Sequence, residues 1–379
     1  MHPRTHWDIF CNVVDNYGDI GVCWRLARQL ASEHQLQVRL WVDDLASFAK
    51  LAPELDPSSA CQKLCGVEIR HWASPFPDTA PADVVIEAFA CELPDHYIAA
   101  MAAQNEKPLW INLEYLSAEA WVGDYHGLPS PHPRLALTKY FFFPGFTQHS
   151  GGLIREAGLL AARDAFQSDP QAQAAWWQSL GVTPQPETLK ISLFAYPNAP
   201  IAPLLAAWAD SPTPIQCFVP ETPLSAAVAA ALGIAALAPG QRISRGNLSL
   251  IGLQFLPQPT YDRLLWACDL NFVRGEDSFV RAQWAARPLI WNIYPQLDSV
   301  HQEKLEAFLA LYCRAAPETA SLTELWRAWN GLCADPAVAW PGFAATLPAL
   351  NRHARRWAEG LERQTDLATQ LVKFSKKPL

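Results

Sequence analysis

At 379 residues the chain is long enough for two α/β domains and long for one. Half of its residues are hydrophobic and 17% are charged, so a sizeable core is available, while the formal net charge of −8 argues against a general nucleic-acid binder, which needs a basic face. No apolar run reaches the ~20 residues of a membrane span, and MHPRTHWDIF lacks a signal-peptide core, so no membrane partner and a cytoplasmic location are expected.

In chain order, WDIFCNVV (7–14) reads as a buried strand. The loop DNYGDIG follows, then an amphipathic helix from Val22 with Leu26 and Leu30 on one face, then the strand VRLWVDD (38–44). This βαβ unit has glycines only at Gly18 and Gly21 in its first loop and lacks GxGxxG, so a dinucleotide site is poorly supported. The segments 67–72, 82–89 and 108–116 read as further strands. Residues 125–152, rich in Gly, Pro, His and aromatics, read as extended loop near a cleft. Residues 157–180 read as helical and 181–188 as a proline-bearing linker at a domain boundary.

The second half restarts the βα rhythm. Strands are expected at 189–197, 214–220, 248–256, in LNFVRG (270–275) and at 288–296. A helix with Thr260 as N-cap precedes LNFVRG, and helices run from residue 301 to the end, the last from Leu350 to Phe374. The pattern is α/β: two Rossmann-like halves in tandem with a terminal helix.

Two constellations carry candidate chemistry. Asp15 and Asp19 stand four apart at the carboxyl end of the first strand. They suit a general base or a carboxylate clamp for a cation, and they would repel phosphate. The competing reading is loop capping, with Asp19 capping the helix. In VRGEDSFVRAQWA (273–285) a strand runs through a tight turn into a helix whose start carries Glu276, Asp277 and Ser278. A diphosphate could sit on that helix N-terminus, with the Ser278 hydroxyl on it and Glu276 on a sugar hydroxyl. An ordinary acidic helix start is the competing reading. Phe194 and Tyr196 in FAYP, with Phe255 and Gln258 in FLPQ, could form a nucleobase slot, although each alone is more often packing.

Other features carry less. The nine cysteines include no CxxC pair, Cys61 and Cys65 being the closest, and several lie in apolar runs as core thiols. The ten histidines show no HExxH spacing, and Asp43–Asp44 reads as a polar strand end, so no metal is expected.

WDIFCNVVDNYGDIGVCWRLARQL and FVRGEDSFVRAQWA, with INLEYLSAE, FFFPGF, GGLIRE and FAYP between them, strongly resemble the EarP family, the protein-arginine rhamnosyltransferases of elongation factor P. The resemblance spans nearly the whole chain. It implies a GT-B glycosyltransferase fold, with an acceptor-binding domain over residues 1–182, a donor-binding domain over 183–357 and a terminal helix, about 358–379, crossing back to the first. It implies inverting, metal-independent transfer of rhamnose from dTDP-β-L-rhamnose, with no cofactor, to an arginine of elongation factor P, supporting translation through proline stretches. The family's catalytic acids match Asp15, Asp19 and Glu276. Its donor contacts match Phe194, Tyr196, Gln258, Glu276, Asp277 and Ser278, with Tyr261 where relatives can carry phenylalanine. A GT-B enzyme with a small-molecule or glycan acceptor, or a non-catalytic nucleotide-sugar-binding protein, are the alternatives; two acids that donor binding does not require argue against the second.

Overall fold

A computed structural model describes residues 4–377 apart from 16, 296–299, 315 and 334; residue 16 of the DNYGDIG loop and residue 296 of the expected strand thus lie outside the described residues. The chain forms two compact units, Met1–Ala157 with Glu362–Leu379, and Gly158–Leu361.

In the first unit β1 (His6–Cys11) leads through a loop to α1 (Gly18–Glu33), β2 (Gln37–Val42) and α2 (Leu45–Leu51). The hairpin β3 (Cys61–Leu64) and β4 (Val67–His71) follows, then β5 (Val84–Ala88), α3 (Asp95–Ala103), β6 (Leu109–Leu113), the short α4 (Val122–Tyr125), β7 (Pro129–Pro131) and β8 (Thr138–Phe142). The strand order is β3-β4-β2-β1-β5-β6-β8-β7, with parallel pairing throughout except at the two edge strands. The central strands β1, β5 and β6 are buried on both faces, as the apolar residues of VVIEA and LWINL require of a parallel sheet. The buried carboxylate of Asp8 ties β1 to its surroundings: it accepts two 2.6 Å bonds from Arg39 on β2, one from the Trp41 indole at 3.3 Å, and one from the Tyr97 hydroxyl on α3. The expected loop at 125–152 is thus partly sheet. KYFFF is strand-forming, and β8 pairs with β6, so the Pro and Gly residues punctuate a strand instead of replacing it.

The second unit begins with α5 (Leu159–Ser168) and α6 (Pro170–Ser179), followed by β9 (Leu189–Leu193), α7 (Ile201–Ala209), β10 (Ile215–Pro220) and α8 (Pro223–Leu232). Then come β11 (Arg242–Arg245), β12 (Leu248–Leu253), α9 (Gln258–Ala267), β13 (Leu270–Arg274), α10 (Asp277–Trp284), β14 (Leu289–Asn292), α11 (Val300–Tyr312), α12 (Ala320–Trp329) and α13 (Pro336–Glu362). The sheet order is β11-β12-β10-β9-β13-β14, parallel except for β11. The expected boundary at residue 182 lies beyond α5 and α6, which both pack on this unit: Gln167 of α5 donates to the carbonyls of Trp266 and Ala285 at 3.1 and 3.0 Å, and the ring centre of Trp177 of α6 lies 4.4 Å from that of Phe218 on β10. α9 starts two residues before the expected cap Thr260, because Pro259 presets helical geometry inside the first turn and Thr260 is already helical.

The expected long terminal helix is two helices. α13 ends at Glu362, and α14 (Leu367–Ser375) starts afresh at Asp366, whose side chain accepts the Thr369 N–H at 3.0 Å. α14 belongs to the first unit: Asp366 also accepts from Gln29 of α1 at 3.1 Å, and Phe374 packs on Tyr140 and Phe142 of β8.

Each sheet reverses direction once. In the first unit the chain builds outward from β1 through β2 to β4, then crosses to the other side of β1 with β5. In the second it builds from β9 through β10 to β12, then crosses to β13. The carboxyl ends of β1 and β5, and of β9 and β13, are therefore the positions where open α/β sheets place ligands.

Candidate active site

The loop after β1 holds the first constellation. Asp43 at the end of β2 anchors its start, accepting from Asn12 and from the Val13 N–H at 2.9 Å. Asp19 stands in the first turn of α1 and is 2% exposed. It does not cap the helix. Its Oδ2 turns back and accepts the N–H groups of Val14 and Asp15, both at 2.8 Å, while the N-cap position is Tyr17, whose side chain makes no capping bond. Tyr115, two residues beyond β6, hydrogen-bonds the same carboxylate. Burial lifts Asp19 above the usual carboxylate range; the backbone donors and Tyr115 oppose that lift, and the charge of Asp15 adds to it. A carboxylate raised in this way is a better proton acceptor near neutral pH than an exposed one. Asp15 is half-buried and lies against Gly18, where an added Cβ would meet its Oδ2 at 3.0 Å. Gly18 thereby lets the Asp15 carboxylate lie over the start of α1. Phe89, the residue after β5, stacks on Tyr115 with ring centres 4.5 Å apart and planes at 20°.

The second constellation forms where β9 and β13 end. Gly275 takes φ +58° and turns the chain from β13 into α10, which starts at Asp277 with Glu276 at the N-cap. Gln258, first residue of α9, donates its amide to Asp277 at 3.1 Å. Tyr261, one turn on, sets its ring against Phe194 at 5.5 Å and its buried hydroxyl beside Ser278; burial pushes that hydroxyl's pKa up. Ser278 accepts the Arg274 N–H at 3.2 Å and donates to the Arg274 carbonyl, so its hydroxyl braces the turn. α9 and α10 are locked by a buried bidentate pair, Arg281 to Asp262, at 3.1 and 2.7 Å. All seven donor residues expected from the sequence thus belong to one cluster of loops and helix starts within the second unit. Phe255, on the approach to α9, is half-buried.

Two residues of these constellations escaped the sequence reading. Arg274 ends β13 almost fully buried, with its guanidinium carbon 4.7 Å from the Phe194 ring centre and 4.5 Å from that of Tyr196. It is a fixed cation, stacked on two aromatic faces, at the turn into α10. Tyr115 is the other. The signal for Arg274 was its place at a strand end directly before the Gly-Glu-Asp-Ser turn; for Tyr115 it was a polar aromatic at the end of an apolar strand. Among the described residues no group of three or more His, Cys, Asp or Glu side chains could hold a metal ion, and no helix is long and apolar enough to cross a membrane.

Two Rossmann-like units in one chain, each with its polar constellation at the sheet's reversal point, define the GT-B class of glycosyltransferase fold. The solved structure of MurG from Acinetobacter baumannii shares this fold, with a TM-score of 0.52 at 12% identity over 99% of this chain and 100% of that one. A profile of the Elongation-Factor P (EF-P) rhamnosyltransferase EarP family matches residues 7–376, and the chain belongs to that family. It is 52% identical to a protein-arginine rhamnosyltransferase of Pseudomonas putida over 99% of this chain and 100% of that protein. It is 52% identical to another from Pseudomonas aeruginosa over 97% and 98%. The structure reported for EarP-mediated arginine glycosylation of translation elongation factor EF-P superposes with a TM-score of 0.71 at 41% identity, covering 99% of both chains.

Proposed function

We propose that this chain transfers rhamnose from dTDP-β-L-rhamnose to an arginine side chain of elongation factor P, with inversion at the anomeric carbon and without a metal. Its place in the EarP family supports the substrates. The observation that carries the chemistry is Asp19: a buried carboxylate of raised pKa, paired with Asp15 at the reversal point of the first sheet.

The acceptor guanidinium is a planar cation with delocalised lone pairs, and so a poor nucleophile. Asp15 and Asp19 grip it by charge-assisted hydrogen bonds and orient one nitrogen. That nitrogen forms a bond to the anomeric carbon while the bond from that carbon to the diphosphate oxygen breaks. The electron pair leaves with dTDP, and the proton from nitrogen passes to Asp19 as the bond forms.

In the second unit the thymine rests among Phe194, Tyr261 and the Gln258 amide. The diphosphate lies at the start of α10 near Asp277 and Ser278, where helix N–H groups and the Arg274 cation take up charge as it develops. Tyr196 lines the same pocket, and Glu276 holds a sugar hydroxyl. A translation factor as acceptor places the reaction in the cytoplasm. Intact-mass measurement of elongation factor P after incubation with the protein and dTDP-rhamnose tests this. One rhamnose added, and none when the acceptor arginine is replaced, is the expected result; an unchanged mass with native acceptor overturns it.

A further inference from the structure

We propose that Tyr115, held in place by the ring of Phe89, is a positioning residue that fixes the Asp19 carboxylate towards the acceptor nitrogen. The inference rests on the function proposed above and adds two residues to it.

The first observation is backbone strain. Phe89 and Ala90 are consecutive non-glycine residues at φ +58° and +55°, a conformation disfavoured for any side chain with a Cβ. Glycine is the default there, and strain of this kind persists only where surrounding bonds over-determine it. Those bonds are present. The Phe89 N–H donates to the Leu113 carbonyl at 2.7 Å, and the Ala90 N–H to Asn112 Oδ1 at 3.2 Å. Both partners lie on β6, two and three residues before Tyr115. The strained turn is thereby registered against the strand that delivers Tyr115.

The second observation is what that register achieves. It lays the Phe89 ring on the Tyr115 ring in a stacked arrangement, and the Tyr115 hydroxyl reaches Asp19. A glycine at residue 89 would relieve the strain and lose the ring, so the benzyl side chain is accounted for by the contact it makes. The third observation is location: Phe89 follows β5 and Asp19 follows β1, the two strands flanking the reversal point of the sheet. Backbone N–H groups of Val14 and Asp15 both end on Oδ2 of Asp19, so they fix the carboxylate from the loop side only. Tyr115 supplies the constraint from a different element, and a carboxylate held from two sides keeps its orientation while a proton is transferred.

Removing the Tyr115 hydroxyl removes a donor that favours the charged form of Asp19. The other ionisable neighbours, Asp15 on the same loop and Cys11 on β1, stay in place. The experiment measures rhamnose transfer to elongation factor P from pH 5 to 9 for the native protein and for Tyr115→Phe and Phe89→Gly, with melting temperature and dTDP affinity measured in parallel. For Tyr115→Phe the acid limb of kcat is expected to move up by about one pH unit and kcat near neutrality to fall about tenfold, with dTDP affinity unchanged. Phe89→Gly is expected to move the limb in the same direction while melting no lower than the native protein. An acid limb unmoved in Tyr115→Phe overturns the proposal whatever happens to kcat, and one unmoved in Phe89→Gly removes Phe89 from it. Absence of transfer by the native protein would instead overturn the underlying function.

Discussion

The guanidinium carbon of Arg274 lies 4.5 Å from the ring centre of Tyr196, and the residue is only 6% exposed. Its two aromatic neighbours keep the guanidinium plane fixed, and the function proposed above sets this charge against the donor diphosphate. Arg274→Met keeps much of the volume and the apolar contact but removes the charge. Calorimetry should then show dTDP affinity lower by about tenfold to a hundredfold, the loss expected of a hydrogen bond between charged groups. Arg274→Lys should recover only part of this, because an ammonium cannot stack as a guanidinium does. Native affinity in Arg274→Met would place the diphosphate elsewhere.

Asp19→Asn separates chemistry from stability. The amide oxygen can still accept the N–H groups of Val14 and Asp15, and Tyr115 can reverse its hydrogen bond, so the loop is preserved. Transfer should fall by at least about a hundredfold, with dTDP affinity unchanged. The native carboxyl has a folded pKa raised above its unfolded value. Its contribution to stability is therefore complete below the unfolded pKa and is lost as pH rises through the folded one. At pH 7 the variant should melt higher than the native protein and at pH 4 the two should converge. A lower melting temperature at pH 7 would contradict the cost assigned to burying this charge.

Glu276 and Ser278 differ in what their removal tests. The Ser278 hydroxyl already bonds both the N–H and the carbonyl of Arg274, so Ser278→Ala loosens the turn as well as any ligand contact. Glu276 makes no side-chain capping bond to α10. Glu276→Ala should weaken dTDP-rhamnose binding by about tenfold, the loss expected of one hydrogen bond to a charged group. Unchanged affinity would end its assignment to the donor.

The parts legible in the sequence were those in which one short segment carries the whole signal. WDIFCNVV ahead of two aspartates, and LNFV ahead of Gly-Glu-Asp-Ser, announce strand ends with polar loops, and the structure has strands and helices in both places. Arg274 was present in that stretch, but its role depends on Phe194 and Tyr196 about 80 residues earlier, which only the adjacency of β9 and β13 brings near. Tyr115 is similar: nothing within INLEYLSAE says that the ring after β5 lies on it. The loop reading of 125–152 missed β8 because proline and glycine spacing outweighed the strand preference of KYFFF, a conflict that pairing with β6 decides.

His126 supplies a pH dependence for the first unit. Its Nδ1 accepts the Phe143 N–H at 3.1 Å, which requires the neutral ring on that side, and burial, reinforced by the charge of Lys377, lowers its pKa to about 4. The unfolded chain takes up the proton near 6.5, before the folded chain does. Stability is therefore full above about 6.5 and falls as pH drops from there towards 4. His126→Asn keeps an acceptor without the titration. The drop in melting temperature between pH 7 and pH 4.5 should be smaller in the variant than in the native protein; parallel curves would mean His126 titrates alike in both states.

The pair Arg281–Asp262 joins the two helices that carry most of the residues proposed to hold the donor. Both side chains are buried, and their two hydrogen bonds join α10, which starts at Asp277 and Ser278, to α9, which carries Gln258 and Tyr261. Arg281→Leu leaves Asp262 charged and buried, so the second unit should lose about 3–5 kcal/mol in denaturant unfolding. Replacing both by leucine removes the stranded charge and should recover most of that loss, since a well-packed apolar pair is often as stable as a buried ion pair. Binding should not recover in step. The apolar pair lacks the directional bonds that set Gln258 against Asp277 at 3.1 Å. The double variant is therefore expected to fold with near-native stability yet bind dTDP more weakly, and recovery of both properties together would show that the ion pair contributes packing alone.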